Sequence, residues 1–401
     1  MKKKLLFVVH TLQIGGAEKI LLNIVKYISK RKYDITVLAL VDDGVLVDEI
    51  KSIEGVTYKY VFKSYFKKAR ANKESKFHKI ATNIMSSIWK RYLKKMKYNP
   101  RKLYEKYVDE KYDVEIAFLE GKVSKFVSCS TNKDSRKIAW IHTDINVGTN
   151  SIFIDDEDEK KCYNTFDKVV CVSGEVRNRF IQKTGRDSNV FVQINPVDCL
   201  DILEKAKEEL TIKKNDENVP VVCTVGRLVQ VKGYDRLLEV HKRLIEEGVK
   251  HELWIVGDGV ERKKLEDYIR KNRLEKTARL MGYSNNPYKY VRNADIFVCA
   301  SRIEGLSTVI VEATILEKVI VSTDCPGAKE ILGDDNECGM VVENDAVGIY
   351  EGLKAVLTDK TLMDKYQTNI KKRSELFNLR NSIGQIEDII DGWGFYDWYR
   401  N

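Results

Sequence analysis

The sequence predicts an α/β protein with two doubly wound domains, each built on a parallel sheet. Three observations predict this class. The chain of 401 residues is long for a single hydrophobic core, which favours two compact domains. Short apolar runs of strand character alternate with helical stretches in both halves, as in parallel sheets. A polar, charge-rich stretch at 204–220 marks a boundary between the halves.

The predicted strands are apolar runs of four to six residues, each followed by a turn or a helical stretch. In the first half they lie at 4–9, 35–40, 114–118, 138–141 and 168–172. In the second half they lie at 221–225, 252–256, 278–281, 295–299 and 319–322. We therefore expect an N-terminal domain over 1–200 and a C-terminal domain over 201–380, facing each other across a cleft.

Composition points to a globular protein of the cytoplasm. Hydrophobic residues make up 43% and charged residues 32% of the chain. The apolar run that follows the first lysines is too short for a signal peptide, and no run approaches the roughly 20 residues of a membrane span. The eight cysteines form no Cys-x-x-Cys pair, so we expect small buried side chains in a reducing compartment.

The positive charge is concentrated in one segment, Lys63 to Lys102. It holds fourteen Lys or Arg and one acid, Glu74, so its net charge is 14 − 1 = +13. This exceeds the net charge of +9 for the whole chain. Apolar residues recur there at helical spacing: Phe77, Ile80, Ala81, Ile84, Ile88 and Tyr92. We expect an amphipathic helix on the anionic cytoplasmic face of a membrane. The alternative is a helix packed on its own domain with solvated lysines; no nucleic-acid-binding module is evident.

The C-terminal segment, 381–401, ends in the aromatic-rich stretch 392–400. Two interpretations stay open for it. Its Trp and Tyr residues suit a membrane interface, or the segment returns to pack on the N-terminal domain.

Two carboxylates, Glu304 and Glu312, lie eight positions apart where a predicted strand passes through a loop into a helix. Ligands of open α/β sheets collect at such strand ends. We predict a helix over 308–318, whose first backbone N–H groups can hold phosphate. The alternative is an ordinary exposed turn with two solvated glutamates.

A second cluster, Gly226 to Gly233, follows the predicted strand 221–225. Glycine permits close approach of the backbone to a ligand, and Arg227 and Lys232 supply cations for phosphate oxygens. The spacing is not that of a P-loop, so we predict a different kind of diphosphate site. The alternative is two surface cations beside a turn.

Three further features lie at strand ends. Gly15 and Gly16 open a helix after the first strand, which permits phosphate to approach its N-terminus. Gly257-Asp258-Gly259 lacks the third glycine of a dinucleotide fingerprint, which argues against an NAD fold. His142 follows the strand 138–141, where a cleft is expected, so we consider it a candidate functional residue. His10 also follows a strand, but fewer observations support a functional role for it. No His or Cys cluster predicts a metal site.

Together these motifs resemble the retaining sugar-nucleotide glycosyltransferases of glycosyltransferase family 4, which share the two-domain GT-B fold. The likeness covers nearly the whole chain, and its specificity lies in the order of the motifs. It is carried by Gly15-Gly16-Ala17-Glu18, His142, Gly226-Arg227-Leu228, Lys232-Gly233, Gly257-x-Gly259 and Glu304-x7-Glu312.

The resemblance implies a set of roles for these residues around a nucleotide-sugar donor. Arg227 and Lys232 would bind its diphosphate, and Glu312 its ribose. Glu304, Leu306 and Ser307 would contact the sugar, and the amides of Thr308 and Val309 would bind phosphate. Gly282 and Tyr283 would contact the base. Gly16 and His142 would reach the donor from the N-terminal domain.

The resemblance also implies a retaining, metal-independent reaction with no resident cofactor, in which the departing phosphate assists same-face attack. Glu304 would position the sugar and would not act as nucleophile or base. Two departures stand out: Ser307 replaces the Pro or Gly of many relatives, and Asp324-Cys325-Pro326 replaces a commoner double-glycine form. The Asp-Cys-Pro form resembles bacterial enzymes that use UDP-hexose or UDP-N-acetylhexosamine in surface-polysaccharide assembly.

We therefore expect a hexosyltransferase that moves a sugar from a UDP-sugar to a lipid-linked or oligosaccharide acceptor. Two alternatives stay open. A UDP-sugar epimerase of the same fold would convert the donor without an acceptor, and a non-catalytic protein would bind the nucleotide sugar without turnover.

Overall fold

The computed structural model describes residues 2–13, 15–63, 91–145, 152–210, 212, 214–216, 218–304 and 307–392. The chain divides into two compact units. The first comprises Met1–Ile194 with Asn381–Asn401, and the second comprises Asn195–Arg380.

The first unit contains a parallel sheet of seven strands in the order β3-β2-β1-β4-β5-β6-β7. The strands are β1 Lys3–Val9, β2 Tyr33–Asp42, β3 Val56–Lys63, β4 Val114–Ala117, β5 Arg136–Ile141, β6 Lys168–Cys171 and β7 Val190–Val192. The helices between them are α1 Gly16–Tyr27, α2 Val47–Ser52, α3 Pro100–Tyr107, α4 Lys122–Ser128, α5 Asp156–Asn164 and α6 Gly174–Thr184.

The second unit contains a parallel sheet of six strands in the order β10-β9-β8-β11-β12-β13. The strands are β8 Val221–Val225, β9 Glu252–Val256, β10 Ala278–Gly282, β11 Ile296–Cys299, β12 Val319–Thr323 and β13 Met340–Val342. The helices are α7 Cys199–Lys205, α8 Tyr234–Glu246, α9 Arg262–Lys271, α10 Tyr288–Arg292, α11 Thr308–Ile315, α12 Ala328–Leu332, α13 Ala346–Thr358 and α14 Lys360–Ser374, with a 3-10 turn at Gln230–Lys232.

The last described helix, α15 Leu379–Asp391, carries the chain back to the first unit. Asp391 accepts a hydrogen bond from Lys3 Nζ at 2.6 Å. Glu387 accepts one from the backbone N–H of Ser29 at 2.9 Å. Residues 393–401, with most of the aromatic stretch, lie outside the described residues.

The central strands form because they are apolar on both faces and can be buried completely. β1 carries five consecutive buried residues at Leu5 to Val9, and β9 is buried along its whole length. Trp140 on β5 and Trp254 on β9 are 0% and 1% exposed. Fully burying a large apolar side chain contributes roughly 1.5–3 kcal/mol, so these strands anchor the two cores.

All ten predicted strands are confirmed, with ends shifted by at most two residues. The prediction missed β3, β7 and β13, which are three of the four edge strands of the two sheets. The predicted helix 308–318 is three residues too long at its C-terminus, because α11 ends at Ile315 and Glu317 adopts a positive φ of 55°.

The basic segment is described only in part, since residues 64–90 lie outside the described residues. Residues 91–98 are helical. Tyr92 and Met96 are 1% and 0% exposed, and the Tyr92 ring packs edge-on against Phe62 of β3 at 4.8 Å. Here the apolar face packs on its own unit. Among the described residues, no helix has the length and apolar character to cross a bilayer.

The eight cysteines are all free, and five of them are buried. This agrees with their predicted role as small core side chains.

Candidate active site

The order of the second sheet places β8 and β11 side by side where the direction of strand addition reverses. In open α/β sheets, ligands bind outside the carboxyl ends of the strands at this switch point. The loop after β8 contains Gly226 to Gly233, and the loop after β11 contains Glu304. The fold therefore brings the two predicted clusters together at the usual ligand position of this sheet class.

A close backbone contact holds these two loops against each other. Gly233 has a left-handed φ of 68°, and a Cβ built on it would lie 2.0 Å from the Ala300 carbonyl oxygen. A Cβ on Gly226 would lie 2.6 Å from the Tyr234 hydroxyl and 3.7 Å from Cε of Lys232. The glycines thus allow the β8 loop to approach β11 and leave room for the Lys232 side chain.

Lys232 and Glu304 form an ion pair at the centre of the site. Lys232 Nζ lies 2.6 Å from Glu304 Oε1, and the side chains are 21% and 14% exposed. Ser301 Oγ donates to the same carboxylate oxygen at 2.6 Å. The predicted phosphate cation and the predicted sugar carboxylate are direct neighbours, although 72 positions separate them in the chain.

A buried arginine supports the backbone beneath this pair. Arg236 is 7% exposed and donates to the carbonyls of Ala300 and Ser301 at 2.7 Å and 2.9 Å. Next to it, Arg302 forms two hydrogen bonds with Asp235 at 2.8 Å and 2.9 Å. Burial alone would raise the pKa of Asp235, but the hydrogen bonds from Arg302 hold it below its usual range. The loop backbone is therefore tied to α8.

Glu312 lies on α11, on the side of the second sheet that carries α10. Its side chain is 9% exposed, and Tyr288 donates its hydroxyl to Glu312 Oε1 at 3.3 Å. Tyr288 itself is 8% exposed. A buried carboxylate with a hydroxyl donor on one oxygen is a suitable acceptor for ribose hydroxyls.

The N-terminus of α11 carries three of the residues predicted to contact the donor. Ser307 is the N-cap residue and is 2% exposed, with its Oγ 3.8 Å from Cys299 Sγ. Thr308 and Val309 form the first turn, where backbone N–H groups have no partner within the helix. Leu306 and Gly305 lie outside the described residues.

Arg227, the other predicted phosphate cation, has an exposed side chain. It forms no ion pair with any residue of the described ranges. Its position in the loop after β8 leaves the guanidinium available to an anionic ligand.

Gly282 ends β10 and Tyr283 follows it, at the far side of this edge. Backbone hydrogen bonds join the loops after β8 and β9 to the ends of the neighbouring strands. Gly226 donates to the Val256 carbonyl at 3.0 Å, and Gly257 donates to the Gly282 carbonyl at 2.8 Å. A Cβ on Gly257 would lie 1.9 Å from the Gly226 carbonyl oxygen, so the Gly257-x-Gly259 motif allows loop packing. Tyr283 is 63% exposed.

The Asp324-Cys325-Pro326 departure also contacts the site backbone. Cys325 Sγ donates to the Ser301 carbonyl at 3.0 Å, and Asp324 pairs with Lys329 at 2.7 Å. Cys325 is 2% exposed, and burial raises the pKa of its thiol to about 12. The thiol is therefore protonated at neutral pH and serves as a hydrogen-bond donor.

In the first unit, Gly16 begins α1 after β1, and His142 follows β5. His142 is 7% exposed, with its ring 4.8 Å from that of Phe118. Burial lowers the pKa of His142 to about 3, so its imidazole is neutral at physiological pH. Its Nε2 is buried and has no hydrogen-bond partner among the described residues.

Glu120 stabilises the loop around His142. It accepts hydrogen bonds from the backbone N–H of His142 at 2.9 Å and from Thr143 Oγ1 at 2.5 Å. His10 lies at the end of β1 in the same sheet, and burial lowers its pKa to about 4. This histidine is also neutral at physiological pH.

The sequence interpretation missed three residues of the site: Ser301, Tyr288 and Arg236. Ser301 lies three positions before Glu304 and two positions after the predicted strand 295–299, so its position at a strand end was available as a signal. Tyr288 and Arg236 lie on helices that carry no recognised motif.

Among the described residues, no group of three or more His, Cys, Asp or Glu side chains is arranged to hold a metal ion. A metal-independent reaction without a resident cofactor stays a prediction.

Residues 206–373 match the family described as glycosyl transferases group 1. Over 186 residues the chain is 34% identical to the N-acetylgalactosamine-N,N'-diacetylbacillosaminyl-diphospho-undecaprenol 4-alpha-N-acetylgalactosaminyltransferase of Campylobacter jejuni, a match that covers 46% of this chain and 48% of that protein. It is 32% identical over 185 residues to the amylovoran biosynthesis glycosyltransferase AmsD of Erwinia amylovora, with 45% and 50% covered. The chain thus spans about half the length of these two relatives.

An uncharacterized glycosyltransferase of Haemophilus influenzae is 22% identical over 98% of this chain and 99% of its own length. Among solved structures, Anabaena HepE in complex with UDP superposes with a TM-score of 0.72 at 17% identity, covering 97% of this chain and all of that chain. The lipopolysaccharide outer core galactosyltransferase WaaB has a TM-score of 0.66 at 16% identity, with 97% and 99% covered. These structures confirm the predicted fold class of two parallel-sheet α/β domains, shared with GT-B proteins.

Proposed function

We propose that the protein is a retaining glycosyltransferase, on the premise that residues 206–373 match the family of glycosyl transferases group 1. Its donor is a UDP-linked hexose or N-acetylhexosamine. Its acceptor is a lipid-linked or oligosaccharide glycan in surface-polysaccharide biosynthesis, and the reaction takes place at the cytoplasmic face of the membrane.

The contact between Lys232 and Glu304 at the β8/β11 switch point is the observation that carries this proposal. A cation for a diphosphate and a carboxylate for sugar hydroxyls lie within one hydrogen bond of each other. A nucleoside diphosphate sugar presents phosphate and sugar hydroxyls at this spacing. The Lys232 ammonium has three donors, so it can serve a phosphate oxygen and Glu304 together.

The site supports bond cleavage by stabilising the leaving group. Breaking the bond between the sugar and the diphosphate leaves negative charge on the phosphate, which Lys232, Arg227 and the N–H groups of Thr308 and Val309 can stabilise. Glu304 already accepts from Lys232 and Ser301 through one oxygen. That engagement suits a residue that positions the sugar and does not attack it. In the proposed reaction the acceptor attacks on the same face as the leaving diphosphate.

The names of the similar proteins support the choice of donor and acceptor. HepE is described in complex with UDP, and the Campylobacter relative is named for transfer of N-acetylgalactosamine to a diphospho-undecaprenol glycan. An undecaprenol-linked acceptor would lie in the membrane, which agrees with the basic segment Lys63 to Lys102 as a peripheral contact.

A thermal-shift screen with UDP, UDP-glucose, UDP-N-acetylgalactosamine, UDP-N-acetylglucosamine and GDP-mannose tests the donor. A ligand at 100 times its Kd stabilises the folded protein by about 2.7 kcal/mol, so a true donor raises Tm measurably. We expect a UDP-sugar to give the largest shift. Absence of any shift would contradict the proposed donor site.

Turnover is then tested in Arg227→Ala and Lys232→Ala. The matched control is Lys242→Ala, a lysine of α8 whose side chain is 37% exposed and pairs with Glu246 on the same helix. We expect transfer and donor hydrolysis to collapse in the first two and to persist in the control. Full activity in both site variants would contradict the proposal. Conversion of the donor into its epimer without acceptor, detected by NMR, would establish the isomerase instead, and UDP-sugar binding without any turnover would identify a binding protein.

A further inference from the structure

We infer that Ser301 is a positioning residue that fixes the orientation of the Glu304 carboxylate toward the donor sugar. The inference rests on the proposed function, since it assigns the donor sugar as the ligand of Glu304. It adds a residue that the motifs of the sequence did not include.

The first observation is that two donors converge on one oxygen. Lys232 Nζ and Ser301 Oγ both lie 2.6 Å from Glu304 Oε1. No side chain of the described ranges donates to Oε2. Among the described residues, side chains therefore donate to one oxygen and leave the other for sugar hydroxyls. Any rotation short of the half-turn that exchanges the two equivalent oxygens would break both short hydrogen bonds.

The second observation is that Ser301 is itself held rigidly. It is 3% exposed, and its carbonyl accepts from Arg236 Nη2 at 2.9 Å, Thr323 Oγ1 at 2.6 Å and Cys325 Sγ at 3.0 Å. Three donors from α8 and from the region of β12 fix the backbone of Ser301, which therefore does not shift with a moving carboxylate. The carboxylate must instead adopt the orientation that Ser301 requires.

The third observation concerns the direction of the Ser301 hydroxyl hydrogen. Cys299 Sγ lies 3.7 Å from Ser301 Oγ and donates to it, which leaves the hydroxyl hydrogen for Glu304. A hydrogen bond to an ionised acceptor is about twice as strong as one between neutral groups. Lys232 compensates the charge of the carboxylate, whereas Ser301 fixes the orientation of the carboxylate.

Ser301→Ala removes the hydroxyl and keeps the backbone. We expect kcat/KM for the UDP-sugar to fall about tenfold, the loss that one hydrogen bond to a charged group produces. Affinity for UDP, which lacks the sugar, stays within about twofold of the wild type because the diphosphate and ribose contacts remain. Ser322→Ala is the matched control, since Ser322 is 0% exposed and donates only to the Thr323 carbonyl at 2.9 Å.

A double-mutant cycle with Glu304→Gln separates positioning from general support of the fold. If Ser301 acts through Glu304, Ser301→Ala has little further effect once the carboxylate is replaced. Equal fold-losses in both backgrounds, or an equal loss of UDP and UDP-sugar affinity, would overturn the inference. Ser301→Cys, which keeps the volume and weakens the donor, gives the same comparison should Ser301→Ala not fold.

The two proposals fail in different ways. If the wild type binds none of UDP-glucose, UDP-N-acetylgalactosamine and UDP-N-acetylglucosamine, the proposed function fails and this inference fails with it. If the wild type binds and turns over a UDP-sugar while the cycle shows no coupling, only the role of Ser301 is refuted.

Discussion

Tyr288 provides a test of the ribose end of the site. Its hydroxyl donates to Glu312 Oε1 at 3.3 Å, and both side chains are less than a tenth exposed. Tyr288→Phe deletes this donor and keeps the ring that packs in the core. We expect Glu312 to lose its fixed orientation and the site to bind ribose more weakly.

The magnitude follows from the geometry. A hydrogen bond to a charged group contributes about 1.5–3 kcal/mol, and the length of 3.3 Å places this one at the weak end. Because about 1.4 kcal/mol corresponds to a factor of ten, we expect UDP affinity to fall about tenfold. Burial raises the pKa of Tyr288 well above its usual value, and the Glu312 charge adds to this, so the hydroxyl remains a donor at every working pH.

Isothermal titration with UDP and with 2′,3′-dideoxyuridine diphosphate distinguishes the mechanism. The dideoxy ligand lacks both hydroxyls that Glu312 would bind, so Tyr288→Phe should leave its affinity unchanged. Equal losses for both ligands would show that Tyr288 acts through packing. An unchanged UDP affinity would refute the role of the hydroxyl altogether.

Three further predictions concern stability and membrane contact. Gly233→Ala should lower the free energy of unfolding by more than Gly248→Ala in urea titrations. Both glycines have a positive φ (68° and 82°), but of the two only Gly233 has neighbours, the Ala300 carbonyl among them, within 4 Å of a new Cβ. The dihedral alone costs roughly 1–3 kcal/mol in each variant, so equal losses would contradict a close contact. Burial and the neighbouring His251 lower the pKa of His241 to about 3. Below pH 6.5 only the unfolded state therefore gains this proton, which favours unfolding by about 1.4 kcal/mol per pH unit. His241→Gln should make the pH dependence of the unfolding free energy shallower between pH 6.5 and 5, while the other buried histidines keep their share, and an unchanged slope would refute the prediction. Binding to vesicles should require anionic lipid and weaken with salt, as expected for the segment Lys63 to Lys102, whereas equal binding to neutral vesicles would count against an electrostatic contact.

The strands that could be predicted from the sequence are those buried on both faces. The predicted bounds of two central strands, Val221–Val225 and Glu252–Val256, agree with the structure at both ends. Central strands of parallel sheets form continuous apolar runs, which are easy to recognise in a sequence. The strands that were missed lie at sheet edges. Val56–Lys63 alternates Lys and Thr with apolar residues, and Met340–Val342 has only three residues, so neither forms a buried run.

The same physics explains how far the site could be predicted. Lys232 and Glu304 are distant in sequence, but each follows a strand of the predicted alternation, and the carboxyl ends of parallel strands share one edge. Ser301 and Tyr288 could not be predicted in this way. Their roles depend on the orientation of one hydroxyl toward one carboxylate oxygen, which only tertiary packing determines.

The two carboxylates of the Glu304 to Glu312 element have different surroundings, and this bears on what they can do. Glu304 faces a lysine and a serine on one oxygen, whereas Glu312 faces a buried tyrosine hydroxyl. In both cases a protein hydroxyl donates to one oxygen of the carboxylate and helps to orient the group. An acid held by donors in this way is suited to accept hydrogen bonds from ligand hydroxyls. The spacing of the two acids therefore favours recognition of two hydroxyl-bearing rings, joined by a diphosphate, over proton transfer between the acids.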